Sequence, residues 1–172
     1  DYAFEIERFD RDCGRMLELL EATGEIKNTL IIVTSDNGMP FPYAKANCTE
    51  FGIHMPLAIA WGSNIEGRQT CDALVSFTDL SATIHEVTGI KAPAEFPLAG
   101  RSFLALLLGK AEAKPRTEIF SGRERHSSSR YNTLGYPQRC IRTNQFLYVR
   151  NFKPERWPAG PGQKLSGKPG SR

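Results

Sequence analysis

Apolar residues recur at three- and four-residue steps through Tyr2, Ile6, Phe9, Cys13, Met16, Leu17 and Leu20. That spacing builds one face of an α-helix, and Gly24 follows where a left-handed cap residue commonly ends one. No capping sequence precedes the first apolar position, so the chain is expected to continue a longer polypeptide. Thr29-Leu-Ile-Ile-Val-Thr34 is apolar on both faces, the pattern of a buried strand in a parallel sheet covered by helices. It runs out into Ser35-Asp-Asn-Gly38. Helix, short turn and buried strand make one step of an α/β fold. Met55 to Trp61 reads as the next strand. Asp79 to Val87 reads as a helix with Asp79 or Ser81 near its cap and Gly89 at its end, and Ser102 to Leu108 as a shorter helix stopped by Gly109.

After Lys110 the pattern changes. Glu118 to Ser121, Arg139 to Arg142 and Phe146 to Arg150 are short β-prone segments, the last two separated by a plausible hairpin connection at Thr143-Asn-Gln145. These signals divide the chain into an α/β portion over 1–110, a small antiparallel subdomain over 111–156, and a loop or disordered tail over 157–172, where Pro, Gly, Ser and Lys dominate.

Composition adds less. Apolar residues make up 40% and charged residues 24%, ordinary for a globular protein, and no apolar run approaches a membrane span. The four cysteines show no paired spacing, so they read as buried thiols rather than a zinc site or a disulfide framework. The net charge of +3 hides an asymmetry: +10 from Lys114 onward against −7 before it. A basic portion of this kind favours an anionic partner. A nucleic-acid partner is not expected, because no aromatic stacking platform or groove-reading helix accompanies the charge.

Asp36 and Asn37 sit where a strand becomes a loop, the end of an α/β sheet at which ligand sites form. Together they offer one charged and one neutral oxygen, the hard donors that Ca²⁺ or Mg²⁺ prefers. Asp-Asn-Gly is also a common turn former, because it tolerates positive φ.

The surroundings resolve that choice. The stretch Thr34-Ser-Asp-Asn-Gly-Met-Pro-Phe-Pro-Tyr-Ala-Lys45, followed by Glu50-Phe-Gly-Ile-His-Met-Pro-Leu57, resembles the second signature region of the sulfatase family. Its Pro-Phe-Pro spacing is most similar to the branch containing heparan N-sulfatases (sulfamidases). Further along, Asp79-Leu-Ser-Ala-Thr83 resembles the family's "Asp-Leu-x-x-Thr" helix start and Gly100-Arg-Ser102 its "Gly-Arg-Ser" turn. Glu124-Arg-His126, Tyr136-Pro-Gln-Arg139, Ile141-Arg-Thr143 and Asn151 to Gly160 resemble the branch's C-terminal subdomain. The ordered set runs to about residue 160.

The resemblance implies a fold, a reaction class and site residues. The fold would be the C-terminal part of an alkaline-phosphatase-like α/β sheet with covering helices, plus the small antiparallel subdomain. The activity would be hydrolysis of a sulfate ester or sulfamate on carbohydrate, in a periplasmic, secreted or lysosomal-type setting. Asp36 and Asn37 would be two ligands of one divalent cation, usually Ca²⁺. Lys45, nine residues past Asp36, would touch the sulfate, and His126 would contact substrate. The cation and Lys45 would offset charge on the transferred group.

His54 falls where many sulfatases carry an arginine, so no role is transferred to it, and His85 reads as structural. The family's nucleophile is a formylglycine made within a Cys/Ser-x-Pro/Ala-x-Arg segment. Cys13, Cys48, Cys71 and Cys140 all lack that context, so this polypeptide alone is expected to be inactive. Two rivals stand beside this reading: a phosphatase or phosphodiesterase of the same superfamily, and a basic polyanion-binding module.

Overall fold

The computed structural model describes residues 1–62, 64–125 and 133–156, and the chain forms two compact units. His126 and the tail from residue 157 lie outside the described residues.

The first unit holds residues 1–34 and 57–71. Its helix α1 spans Tyr2–Ala22 and ends at Thr23, whose hydroxyl donates to the Leu19 carbonyl at 2.9 Å. The predicted apolar stripe is present, but no residue of α1 is buried; Tyr2, Ile6, Phe9, Met16 and Leu17 are exposed. A single 3₁₀ turn at Ile26–Asn28 leads into strand β1, Ile31–Thr34.

The strand corrects an expectation. β1 is half-buried along its whole length and pairs antiparallel with β2, Leu57–Ala60, from Ile31 opposite Ala60 to Thr34 opposite Leu57. A parallel neighbour needs a crossover, usually a helix, that returns the chain to the starting edge. Residues 35–56 contain only one helical turn, α2 at Glu50–Ile53, so the chain re-enters beside the residue it left.

The second unit holds 35–56 and everything from Asp72 on. Its main helix, α3, spans Phe77–Thr88 with Ser76 and Asp79 forming a reciprocal capping box and Gly89 as the left-handed end. Buried on this helix are Asp79, Ala82 and Thr83. A carboxylate only 2% exposed requires partners. Asp79 has three, which give it four hydrogen bonds: Arg116 donates through Nε at 2.6 Å and Nη2 at 2.5 Å, and the amides of Ser76 and Arg101 donate at 3.0 and 2.9 Å. One turn on, the Thr83 hydroxyl accepts the Phe103 amide at 3.1 Å.

The Asp-Leu-x-x-Thr and Gly-Arg-Ser motifs are therefore one structural device, in which the helix receives the backbone of the turn. Gly100 makes the approach feasible, since a Cβ there would stand 1.9 Å from the Thr78 carbonyl oxygen. Beyond this turn lies α4, a single turn at Leu104–Leu107.

The β-prone segments after Lys110 form a three-stranded antiparallel sheet in the order β3 (Glu118–Arg123), β4 (Gln138–Thr143), β5 (Leu147–Asn151). Thr143 and Phe146 close the β4–β5 hairpin, the Thr143 amide donating to the Phe146 carbonyl at 2.8 Å. Side chains alternate between faces along each strand. Phe120, Arg139, Tyr148 and Arg150 are exposed on one face, and Cys140 is buried on the other.

Candidate functional site

The loop carrying Asp36, Asn37 and Lys45 is a tight knot of backbone. Gly38 is buried, and a Cβ there would come within 2.3 Å of the Phe51 carbonyl oxygen; one at Gly52 would meet the Asn47 carbonyl oxygen at 2.2 Å. Only glycine at both positions lets the outgoing and returning chains touch. The Lys45 amide donates to the Met39 carbonyl at 3.0 Å, and the Asn47 amide to the Ala44 carbonyl at 3.1 Å.

Ala44 is buried between two residues held at positive φ, Tyr43 at 63° and Ala46 at 61°. A left-handed backbone at a residue with a Cβ costs on the order of 1–2 kcal/mol, so other contacts must hold it. They are present: the Thr49 hydroxyl donates to the Tyr43 carbonyl, and Arg123 donates to the Ala46 carbonyl and, at 3.1 Å, to Asn47 Oδ1.

The anchors come from the C-terminal sheet. Besides Arg123 on β3, Arg142 on β4 donates to Glu50 at 2.8 and 3.4 Å. Arg123 also lies over the ring of buried Tyr136, 5.5 Å from its centroid. Hydrogen bonding from Arg142 holds the Glu50 carboxyl below its ordinary value, outweighing the opposing effect of burial.

A group with a depressed folded value stabilises above its unfolded pKa, about 4.3 for Glu, and loses that contribution as pH falls through the folded value. Both partners are partly exposed, so the pair is worth no more than about 1 kcal/mol. Glu50→Gln is expected to lower the unfolding midpoint slightly at pH 7 and to converge on the parent as pH falls below about 4.3 and through the folded value. A thermal unfolding series in pH checks it.

Within this loop, Asp36 and Asn37 come together: the Asn37 amide nitrogen donates to Asp36 Oδ2, and the Ser35 hydroxyl donates to the Asn37 carbonyl at 2.9 Å. Among the described residues, Asp36 Oδ1 and Asn37 Oδ1 take no part in these two hydrogen bonds. Asp36 and Lys45 are both exposed. Lys45 forms no ion pair with Asp36 among the described residues.

Two neighbouring oxygens suit a hard cation, which takes six to eight, but they are only part of such a shell. No group of three or more His, Cys, Asp or Glu able to hold a metal occurs among the described residues. His54 packs back on its own helical turn, 3.3 Å from Glu50, and His85 meets the Ile90 carbonyl at 2.7 Å, the structural role expected of it.

The arginines of the basic half are largely committed. Arg116 holds Asp79, Arg123 and Arg142 hold the loop, Arg139 pairs with Glu124, and Arg156 donates to the Gly135 carbonyl at 2.8 Å. Among the described residues, five arginines of the basic portion are thus engaged in structural contacts. Sequence reasoning did not single out Arg123, Cys48 or Cys140 as partners of the loop, because their contacts span about 75 to 90 residues and leave no local signal.

A family model described as sulfatase matches residues 1–90. The human N-sulphoglucosamine sulphohydrolase is 32% identical over 84% of this chain, and an ulvan-active sulfatase of Formosa agariphila is 29% identical over 87%. This chain spans 29% and 23% of their respective lengths. Among solved structures, BT4656 in complex with its substrate D-glucosamine-2-N,6-O-disulfate superposes with a TM-score of 0.69 at 26% identity, covering 81% of this chain and 28% of that one. With the profile covering more than half of its residues, the chain belongs to the sulfatase family.

Proposed function

We propose that this chain is part of a hydrolase that removes sulfate from sulfated carbohydrate, as an ester or a sulfamate, and that it supplies one wall of the cation and sulfate site. The supporting observation is the loop itself. A hydrogen-bonded Asp36–Asn37 pair and Lys45 share a strained backbone knot that the Arg123 and Arg142 anchors hold in one shape. Such bracing is what a site needs if its charges are to be in place before substrate arrives.

Asp36 and Asn37 would hold a divalent cation, Ca²⁺, through their Oδ1 oxygens, completed by ligands from elsewhere in the protein. That cation supplies positive charge against the sulfate oxygens. Lys45 adds an ammonium with three donors, which orients the sulfate and favours charge build-up on the leaving oxygen or nitrogen. His126 is the further candidate for substrate contact. The family's formylglycine has no counterpart around the four cysteines of this chain, and no step here is assigned to it. The setting that suits this activity is periplasmic, secreted or lysosomal. No helix among the described residues is long and apolar enough to cross a membrane.

The relatives' names favour glucosamine carrying N- or O-linked sulfate. The test is the complete natural protein assayed with calcium against N-sulfoglucosamine, 6-O-sulfated glucosamine and a phosphate diester. Sulfate release from at least one sugar, exceeding phosphodiester hydrolysis by tenfold or more, is expected. Preferred cleavage of the phosphodiester would overturn the reading in favour of the phosphodiesterase alternative.

A further inference from the structure

Two cysteines take part in docking the loop. Cys48 lies on it, 3% exposed, and Cys140 lies on the central strand β4, 4% exposed. The two thiols are near neighbours in the contact between loop and sheet, close enough to act on one another electrostatically. The contact is bracketed by the arginine anchors: Asn47, just before Cys48, is held by Arg123, and Glu50, two residues after it, by Arg142. On β4, Cys140 and Arg142 alternate onto the same face, and Arg123 stands opposite Gln138 in register. Three successive side chains of one sheet face therefore meet three successive points of one loop. Neither cysteine enters the proposed chemistry.

We propose that Cys48 and Cys140 form a disulfide that fastens the Asp36–Lys45 loop to the central strand of the C-terminal sheet. Closing the bridge brings the two sulfurs to about 2.05 Å, which side-chain rotation and a settling of the loop onto the strand would supply. Each thiol gives up one proton and one electron. The electrons pass to a small-molecule disulfide of the glutathione type, which is reduced to two thiols. One cysteine first attacks that disulfide to give a mixed disulfide, and the other then displaces the second small thiol.

Burial, reinforced by the neighbouring Cys140, pushes the Cys48 thiol up to about 11 despite Arg123 and Arg139 nearby. Thiolate is therefore scarce at neutral pH, so exchange proceeds through brief openings of the loop. The same burial slows reduction of the finished bond, which likewise waits on loop opening. The tether stands on these contacts alone; only its consequence for the cation and sulfate site rests on the functional reading above.

The test uses the complete protein equilibrated with a mixture of oxidised and reduced glutathione. Free thiols are then alkylated in denaturant and the digest is analysed by mass spectrometry without reduction. A peptide linking Cys48 to Cys140 is expected, with both residues leaving the alkylated pool together while exposed Cys71 stays in it. Amides between 36 and 50 are expected to exchange at least several-fold more slowly in the oxidised protein. Reductant should reverse that protection, and Cys48→Ser should abolish its redox dependence. Full alkylation of Cys48 and Cys140 after oxidation would overturn the proposal, as would finding them linked to other cysteines or to glutathione instead. Sulfatase activity is not a readout, so failure of the tether and failure of the functional assignment remain distinguishable.

Discussion

Replacing Asp79 with alanine is expected to destabilise the unit that carries the Asp36–Lys45 loop by about 3–5 kcal/mol, the usual cost of leaving one half of a buried ion pair behind. Asp79 accepts two hydrogen bonds from Arg116 and one each from the amides of Ser76 and Arg101. Its removal frees the α3 cap and the Gly100–Ser102 turn together and leaves a largely buried guanidinium without its carboxylate. Asp79→Asn keeps the shape but turns an amide toward Arg116 and should fall between alanine and the parent.

The pH dependence gives an independent check. Burial alone would raise the Asp79 carboxyl, but Arg116 and the two backbone amides outweigh it, so its folded value lies below the ordinary one. Its contribution is therefore complete above the unfolded value of about 3.9 and disappears as pH falls through the folded value. Denaturant unfolding of parent and Asp79→Ala should show a gap of several kcal/mol at pH 7 that narrows below about pH 4. A gap under 1 kcal/mol at pH 7 would mean that the four hydrogen bonds do not hold the unit together.

The second large effect concerns turnover. In the complete protein, Asp36→Ala is expected to lower kcat/KM on sulfated glucosamine at least a hundredfold, and Lys45→Ala by a comparable factor, since on the proposed reading the first weakens the hold on the cation and the second removes the ammonium that faces the sulfate. The two should separate by their response to calcium. Raising its concentration should partly rescue Asp36→Ala, whose fault is weakened cation binding, and leave Lys45→Ala unchanged. Both side chains are exposed, so neither variant should shift the unfolding midpoint appreciably. A loss of activity that tracked a loss of stability would point to disruption of the knot instead.

What the sequence revealed and what it hid follow from the range of the interactions. Helix α3 was legible through its apolar spacing and Gly89, although its N-cap is Ser76 rather than Asp79 or Ser81, with Asp79 completing the capping box at the third helical position; the β4–β5 hairpin was legible through two short β-prone runs around a turn. Asp36, Asn37 and Lys45 were visible as a motif because they lie within ten residues of one another. The pairing of β1 was misread, because a continuous apolar run looks the same whether its neighbour is parallel or antiparallel.

The docking of the loop onto the C-terminal sheet was hidden for a different reason. Arg123, Cys140 and Arg142 act on residues about 75 to 92 positions away, and nothing near either end marks the partnership. The Asp-Leu-x-x-Thr and Gly-Arg-Ser motifs were legible as words but not as physics: Asp79 accepts the Arg101 amide across 22 residues, and Thr83 the amide of Phe103, just past the second motif, across 20.

The most direct measurement is a crystal structure of the complete protein with calcium and sulfate or a sulfated sugar bound. The account predicts oxygens of Asp36 and Asn37 about 2.3–2.6 Å from the ion and the Lys45 ammonium within about 3.2 Å of a sulfate oxygen. An ion held without residues 36 and 37, with Lys45 directed away from the anion, would contradict it.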